Sequence, residues 1–493
     1  MAILSTSLFS TCGYLQNNKF SHLQPSLSTT SVKTCNTRAL SVNSANRGLK
    51  VASKDDIQYF WQWLSDEGGI SSSSTSVKPE IVPQRLGLVA QRNISQGEVV
   101  LEVPKKIWIS MDTVYASEIG KLCQGLRPWV AISLFLLREK SKLNSPWRPY
   151  LNILPETLDS PMFWSEEELA ELQGTQLLSS TLGYKDYVGN EFLKVQDEVI
   201  APNRHLFDSD ITEEDFLWAF GILRSRAFLP LTGDNLALVP FADLVNHGFN
   251  IAAEEPSWER RGSGLFNRQE ALSMKAPAAF MAGEQVFMQY GRNKSNSQLA
   301  LDYGIVERNA INDPNRNIFT LTLEISESDP FFADKLDIAE LNGMQTTMYF
   351  DIAQGQDLPE SMLTFLRLMA LGGTDAFLLE ALFRDSVWGH LSLPVSEANE
   401  ATICKVILDG CQSALGGYAT TIEEDKALLG QQLEPRLEIA VVTRLGEKRV
   451  LREIQSSFEG YRAQLDQLEY YQEKRLKDLG LCGELGDVIF WES

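Results

Sequence analysis

The sequence predicts an α+β chain with a β-rich first part, a helical insertion inside that part and a helical second part. Three observations support this prediction. Short apolar segments bounded by turn residues occur between residues 86 and 104 and again between 282 and 290, as is typical of strands. The chain between them has helical apolar spacing over about a hundred residues. After about residue 310, helical spacing dominates to the C-terminus.

The composition indicates a globular protein large enough for two or three domains, with 493 residues of which 44% are hydrophobic. A formal charge of −21 argues against a nucleic-acid binder. It favours binding to a basic segment of another protein, for instance one that presents lysine. The longest apolar run, Trp129 to Leu137, is far shorter than the roughly 20 residues of a membrane span. Six scattered cysteines form no Cys-x-x-Cys pair, which suits a reducing compartment.

The first fifty residues have a composition of their own. They contain no Asp or Glu, the first acid being Asp55, and they are rich in Ser and Thr with a few scattered bases. This composition is typical of an organellar transit peptide, and the excess of Ser and Thr over Arg favours the chloroplast over the mitochondrion. The alternative is an ordinary disordered N-terminus. We therefore expect residues 1–50 to be a cleaved transit peptide.

The β-rich part is predicted to extend over residues 55–310. It opens with a helix at 57–64 that ends at Gly68 and Gly69. Turn residues and proline bound the predicted strands, which are 86–90, 99–104 and 282–290.

A helical insertion is predicted at about residues 112–212 within this part. Trp129 to Arg138 is apolar on nearly all sides, which indicates a buried helix. Ser165 with Glu168, and Thr212 with Asp215, have the spacing of capping boxes at the start of two further helices.

The second part, residues 311–493, is predicted to be an all-helical domain. Its clearest pattern is a heptad-like apolar series on one long helix, formed by Leu451, Ile454, Phe458, Tyr461, Leu465 and Leu468. A free coiled coil is possible on this pattern, but fewer than four clean heptads favour a helix packed inside a bundle.

Candidate functional residues lie in the central segment. Asp243-Leu-Val-Asn-His247 is followed about forty residues later by Tyr290-Gly and then by Tyr303-Gly. Taken singly, each of these residues is more typical of a core or turn position than of a site. No His-Glu-x-x-His or clustered His/Cys pattern occurs in the sequence, so we predict no metal site.

Taken together, the motifs resemble a SET-domain methyltransferase, and more narrowly the plant Rubisco large-subunit lysine N-methyltransferase family. The resemblance covers nearly everything after residue 50 and implies a split SET core followed by a helical substrate-binding domain. The motifs that carry it, in chain order, are Arg85–Leu88, Arg224–Phe228, Asp243–His247, Gly283–Gly291 and Leu301–Gly304.

The resemblance implies S-adenosylmethionine as cofactor and Tyr290 as the catalytic residue. The positions that match the family's cofactor-binding residues are Gln84, Arg85, Leu86, Asn246, His247 and Tyr303. Those that match its substrate-binding residues are Ser225, Arg226, Phe228, Asp243, Trp258 and Tyr290. Arg85 stands where many SET domains have glycine, and Gly248 stands where serine is common; we expect the second change to be tolerated.

The implied chemistry fits residues of these types. Methyl transfer from a sulfonium needs a neutral amine held in line, so the protein contributes mainly by positioning. Neutralising a lysine of pKa near 10.4 at pH 7 costs about 4.6 kcal/mol, which a narrow apolar channel beside a positive sulfonium reduces. Aromatic walls also favour a cationic methylated product. A Glu or His general base is not required.

We further expect a monomer in the chloroplast stroma that acts on proteins and, from its charge and short apolar runs, binds neither nucleic acid nor membrane. Its expected substrates are plastid fructose-bisphosphate aldolase and the Rubisco large subunit, with trimethylation of one lysine. As a hypothesis, Pro256 in the loop 254–258 disfavours Rubisco and leaves aldolase as the main target.

Two alternatives remain open. One is a related SET enzyme that methylates a histidine of a cytosolic protein such as actin, against which the acid-free N-terminus argues. The other is a catalytically silent SET-fold module that docks plastid enzymes, against which the intact Tyr290, Asn246, His247 and Tyr303 argue.

Overall fold

The computed structural model describes most of the chain after the first fifty residues. The described residues are 52–474 without 84, 208, 229–235, 250, 252–256, 263–269, 311–312, 382, 385 and 472–473. The expected transit peptide, Gln84 and Pro256 therefore lie outside the described residues.

Two compact units divide the described chain. The first consists of residues 52–158 and 188–290, and the second consists of residues 159–187 and 291–474. The segment 159–187 thus packs with residues that follow it by more than a hundred positions. The domain borders expected from the sequence, at 310 and 311, stay a prediction.

The first unit holds the strands predicted at 86–90, 99–104 and 282–290, and its described residues form seven further strands that were not predicted. Its strands are β1 (Val77–Val82), β2 (Arg85–Ala90), β3 (Val99–Pro104), β4 (Ile109–Ser110), β5 (Ala227–Phe228), β6 (Ala237–Leu238), β7 (Asn246–His247), β8 (Trp258–Arg261), β9 (Ala271–Lys275) and β10 (Gln285–Met288). They form small sheets of order β1-β2-β10-β7, β3-β9-β8 and β4-β6-β5. Every pairing is antiparallel except that of β10 with β7, which is parallel.

The helices predicted at 57–64, at Trp129–Arg138, after Ser165 and after Thr212 are present, and the described chain up to residue 226 has three further helices that were not predicted. In chain order, the helices up to residue 226 are α1 (Lys54–Trp63), α2 (Met111–Tyr115), α3 (Pro128–Ser141), α4 (Arg148–Leu151), α5 (Glu166–Ala170), α6 (Gln176–Val195) and α7 (Glu213–Arg226). Ser165 and Thr212 form the two expected capping boxes. Each hydroxyl accepts the backbone N–H of the acidic residue three positions later, and the carboxylate of that residue accepts the backbone N–H of Ser165 or Thr212. Helix α3 is buried over most of its length, as its all-round apolar pattern predicts.

The second unit is mainly helical. Its later helices are α8 (Asn296–Tyr303), α9 (Phe332–Leu341), α10 (Glu360–Ala370), α11 (Val387–His390), α12 (Glu397–Gly416), α13 (Ile422–Leu429) and α14 (Pro435–Arg462). The predicted α+β class, with a helical C-terminal part, is confirmed. That part is not entirely helical, however, because β11 (Ile318–Glu324) pairs antiparallel with β12 (Thr347–Ala353). Alternate burial of Phe319, Leu321 and Leu323 gives β11 the period of a strand.

The heptad-like series does not lie on one continuous helix. Helix α14 ends at Arg462, and Leu465 lies in a 3₁₀ turn that follows it. Leu451, Ile454 and Phe458 are buried in the apolar core of the second unit. The structure therefore agrees with a helix packed in a bundle, and the expected extension of that helix to Leu468 was wrong.

Polar contacts join segment 159–187 to helix α14. Arg436 lies 2.7 Å from Glu168, and Arg444 lies 2.8 Å from Glu171. The backbone N–H of Gln176 donates to Glu447 over 3.0 Å. These contacts explain why the segment belongs to the second unit.

No single described helix is long and apolar enough to cross a membrane. Helix α10 and the 3₁₀ turn Gly373–Leu379 pass that test only as a pair bent by 112°.

Candidate active site

The parallel pairing of β7 with β10 builds the centre of the site in the first unit. Asn246 pairs with Phe287, and His247 pairs with Met288. Tyr290 follows β10 by two residues, so the Asn-His segment and the tyrosine meet at neighbouring strand ends although 43 residues separate them. The structure thus brings together three of the residues singled out in the sequence.

Asn246 also reaches across to β2. Its Nδ2 donates to the carbonyl oxygen of Leu86 over 3.1 Å. Gly87 makes this approach possible, since a Cβ at that position would lie 2.7 Å from Asn246 Nδ2 and 2.6 Å from Gln285 Nε2. The first predicted cofactor motif and the Asn-His motif are therefore in direct contact. Arg85 is exposed at the start of β2.

His247 is buried and is bonded to the backbone of the tyrosine. Its Nδ1 accepts the Tyr290 N–H over 3.1 Å, and the two rings lie 5.2 Å apart at 38°. An acceptor nitrogen carries no proton, so the geometry corresponds to a neutral imidazole with its proton on Nε2. The ring of Phe249 packs edge-on against His247 from another side, at 5.2 Å.

The hydroxyl of Tyr290 has a fixed direction. It donates to the carbonyl oxygen of Val245 over 3.0 Å. Burial raises the pKa of Tyr290 above its ordinary value, and the charges of Arg226 and Arg85 oppose this shift only in part. The group is therefore a neutral phenol across the physiological pH range, suited to polarise and orient rather than to take up a proton.

A strained turn carries Asp243. Phe241 has φ 79°, a backbone conformation that bulky residues rarely adopt, and it leads into the 3₁₀ turn Ala242–Leu244. Its side chain is fully buried and packs on Trp61, with ring centroids 5.7 Å apart. Such strain persists where the surrounding packing over-determines it, and it is typical of functional sites.

The Asp243 side chain is completely buried within a polar cluster. Arg226 Nη1 donates to Asp243 Oδ2 over 3.2 Å, and the hydroxyl of Tyr150 donates to the same oxygen over 2.9 Å. Burial raises the pKa of Asp243, while Arg226 and then Tyr150 act in the opposite direction. Two of the predicted substrate-binding residues, Arg226 and Asp243, therefore form one ion pair.

Aromatic side chains lie on another side of this region. Phe228 and Trp258 meet edge to face with centroids 5.0 Å apart, and Trp258 Nε1 lies 3.1 Å from the sulfur of Met288. All three residues are half-buried. Ser225 bonds back within helix α7, its hydroxyl donating to the Gly221 carbonyl over 2.8 Å, so that its side chain is oriented by the helix itself.

Tyr303 belongs to the second unit. It is the last residue of α8, which ends at Gly304 in the left-handed conformation with φ 66°. Lys294 lies over its ring at 5.6 Å and pairs with Asp302 at 2.7 Å. The role of Tyr303 at the cofactor stays a prediction.

Two residues of the cluster were not singled out as site residues by the sequence. Tyr150 has no local signal, since it lies in a short helix 93 residues before its partner. Gly87 had one, because an isolated glycine in a strand indicates close approach of another group. Gly248, which the sequence analysis named as a departure from the family, is also closely packed, since a Cβ there would lie 2.6 Å from the Cβ of Phe287.

Comparisons with known proteins agree with this architecture. Residues 326–451 match the family model described as Rubisco LSMT substrate-binding. The chain is 59% identical over 440 residues, covering 89% of this chain and 90% of the relative, to the chloroplastic [fructose-bisphosphate aldolase]-lysine N-methyltransferase of Arabidopsis thaliana. It is 58% identical over 438 residues, 88% of each chain, to the chloroplastic ribulose-1,5 bisphosphate carboxylase/oxygenase large subunit N-methyltransferase of Nicotiana tabacum.

A solved structure of Rubisco LSMT bound to AdoMet has a TM-score of 0.81 to this chain at 53% identity. The match covers 87% of this chain and 98% of the solved one. Likeness at this level extends over the SET core and the helical part alike. The chain therefore belongs to the Rubisco large-subunit methyltransferase family of SET-domain proteins.

Proposed function

We propose that this chain, a protein-lysine N-methyltransferase that uses S-adenosylmethionine, methylates a lysine of plastid fructose-bisphosphate aldolase. The Rubisco large subunit is the second candidate substrate, and the proposed product is trimethyllysine. The observation that carries the proposal is the meeting of Asn246, His247 and Tyr290 at adjacent strand ends, with the buried Asp243–Arg226 pair in the same unit.

The residues of this region suit the cofactor. Because Gly87 has no Cβ, the Asn246 amide can lie close to the β2 backbone, 2.7 Å from where that Cβ would be. Gln289 Oε1 is buried and has no hydrogen-bond partner among the described residues, which leaves an acceptor for a polar ligand. Asn246, His247 and the β2 backbone at Leu86 would hold the molecule. When bound, S-adenosylmethionine supplies an electrophilic methyl group on a positively charged sulfur.

The protein's contribution to the reaction is orientation. The lysine nitrogen forms a bond to the methyl carbon while the carbon–sulfur bond breaks, and the proton of the ammonium leaves to solvent beforehand. Tyr290 keeps its proton because burial raises its pKa, and its donor bond to Val245 leaves the oxygen lone pairs to face the reacting groups. A fixed dipole of this kind needs no reorganisation during transfer.

The aromatic pair favours the product of each transfer. A methylated ammonium is a large, weakly hydrated cation, and cations within about 6 Å of aromatic rings are stabilised by about 0.5–2 kcal/mol. Phe228 and Trp258, packed edge to face, present ring surface of this kind. This supports successive methylation of one lysine over release after the first methyl group.

We further propose that the protein works as a monomer in the chloroplast stroma. The relatives described above are named chloroplastic, which supports the plastid. The acid-free first fifty residues support import. Both candidate substrates are plastid enzymes, so enzyme and substrates would share a compartment.

Intact-mass spectrometry of purified aldolase and Rubisco after incubation with the enzyme and S-adenosylmethionine tests the proposal. We expect a gain of about 42 Da on one lysine of aldolase, and strong slowing with the Tyr290→Phe variant. Tandem mass spectrometry locates the group, and a methylated histidine would favour the histidine-methylating alternative. No mass change on either protein, with cofactor binding intact, would refute both substrates.

A further inference from the structure

The Asp243 carboxylate presents its two oxygens to very different surroundings. Oδ2 accepts from the Tyr150 hydroxyl at 2.9 Å and from Arg226 Nη1 at 3.2 Å. Oδ1 is buried and has no hydrogen-bond partner within the described part of the chain. A buried carboxylate oxygen without a donor is costly unless a ligand supplies one, so this oxygen is an open acceptor.

We propose that Tyr150 is a positioning residue for methyl transfer, whose hydroxyl orients the Asp243 carboxylate so that Oδ1 accepts a hydrogen bond from the acceptor lysine. This inference rests on the proposed lysine methyltransferase function. Tyr150 itself does not touch the substrate. It acts through Asp243, because a carboxylate held at Oδ2 by two donors from different directions cannot rotate freely.

The surroundings of Tyr150 make it a rigid support. Its side chain is fully buried, and its ring packs against Phe60 with centroids 6.2 Å apart. Helix α4, which carries it, is tied to helix α1 by a bond of 3.0 Å from Asn152 Nδ2 to Asp56 Oδ1. The ring of Tyr150 is therefore held by packing against α1, an element separate from the strands that lead to Tyr290 and His247.

The charge balance suits a lysine that must become neutral. The Arg226 guanidinium compensates the charge of Asp243, so the cluster offers the lysine a directed acceptor with little net negative field. An uncompensated carboxylate would instead hold the lysine in its protonated form. Within the part of the chain that the structure describes, the titratable or charged groups that face Asp243 are Tyr150, Arg226 and Tyr290.

The test is the Tyr150→Phe variant, which removes one oxygen and keeps the buried ring. With purified plastid aldolase, and in parallel with Rubisco, we expect kcat/KM to fall about tenfold or more, mostly through a higher KM. The Kd for S-adenosylmethionine should stay unchanged. The acidic limb of the kcat/KM profile should move to higher pH, because the lost hydrogen bond favoured ionised Asp243.

A matched control separates positioning from stability. Ser145 is a buried residue of the first unit whose hydroxyl also donates to a buried carboxylate, that of Glu139, at 2.7 Å, and neither residue belongs to the candidate site. Ser145→Ala, which likewise removes one oxygen, should lower the melting temperature and leave KM and the pH profile unchanged. If both variants change KM alike, Tyr150 acts only through stability and the inference is overturned.

A double-mutant cycle with Asp243→Asn completes the test. If Tyr150 acts through Asp243, the double variant should be little worse than Asp243→Asn alone. Independent, multiplying effects would refute the inference, as would a Tyr150→Phe variant with wild-type kinetics. Wild-type protein that fails to methylate either substrate would refute the proposed function itself, a result distinct from these.

Discussion

Replacing Gly87 by alanine should weaken cofactor binding without unfolding the protein. The added Cβ would lie 2.6 Å from Gln285 Nε2 and 2.7 Å from Asn246 Nδ2, whereas ordinary contact begins near 3.4 Å. The backbone of Gly87 does not have a positive φ, so the alanine itself is unstrained. The effect of the change is therefore the displacement of two side-chain amides.

The size of the effect follows from these distances. The Gln285 amide must retreat by about 0.8 Å and the Asn246 amide by about 0.7 Å, and the second shift breaks the 3.1 Å bond from Asn246 to the Leu86 carbonyl. Losing that bond costs about 0.5–1.5 kcal/mol, and overpacking costs about 1–3 kcal/mol. We expect a total loss of about 2–4 kcal/mol in the free energy of unfolding. Since Asn246 moves, the Kd for S-adenosylmethionine should rise about tenfold or more.

Urea unfolding and calorimetric titration with S-adenosylmethionine measure the two quantities. Gly183→Ala is the control, since Gly183 lies within helix α6 and a Cβ there would meet nothing within 4 Å. The control should keep its Kd and gain up to about 1 kcal/mol of stability. A Gly87→Ala protein with wild-type Kd and urea midpoint would show that the close approach of Asn246 to β2 is dispensable.

Three further predictions follow from the described contacts. Tyr290→Phe should lower kcat about a hundredfold with the cofactor Kd nearly unchanged, because one fixed dipole is removed; an unchanged single-turnover rate would contradict this. Burial raises the pKa of Glu447 from 4.5 to about 7, so the folded state holds a proton that the unfolded chain has lost. Stability should therefore fall by about 3 kcal/mol as pH rises from 4.5 to 7, and Glu447→Gln should remove that slope in pH-dependent urea unfolding. Glu307→Gln should lower the free energy of unfolding by about 3–5 kcal/mol, since Arg316 is buried and bonds both carboxylate oxygens of Glu307. Lys194→Gln should lower it by less than about 1 kcal/mol, because the Lys194 ammonium that pairs with Glu191 is mostly exposed. Equal urea midpoints for the last two variants would refute that reasoning.

Local signals in the sequence were enough to predict local structure. The capping boxes at Ser165 and Thr212 depend only on residues three positions apart, so they could be predicted without knowledge of tertiary contacts. The β11–β12 pair was not predicted, because the paired residues are about thirty positions apart in the sequence and lie in a region where helical spacing dominates. The end of α14 was misplaced because the apolar series continues past Arg462 into a turn.

The candidate site was predictable where a motif carries it. Asn246, His247 and Tyr290 were found by resemblance, and the structure places them in contact. Tyr150 was not found, because a hydrogen bond that spans 93 residues leaves no trace in the spacing of one sequence. The burial of the Asp243 carboxylate and its ion pair with Arg226 could not be predicted either, because both depend on how the chain folds.

The polar contacts between segment 159–187 and helix α14 have a consequence for biosynthesis. Glu168, Glu171 and the N–H of Gln176 leave the ribosome about 270 residues before Arg436, Arg444 and Glu447. At translation rates of about 5–20 residues per second, this delay is on the order of tens of seconds. During that time the acidic helix start at Ser165 has no cationic partner from α14. The contacts of this segment with α14 can therefore form only after nearly the whole chain has been made.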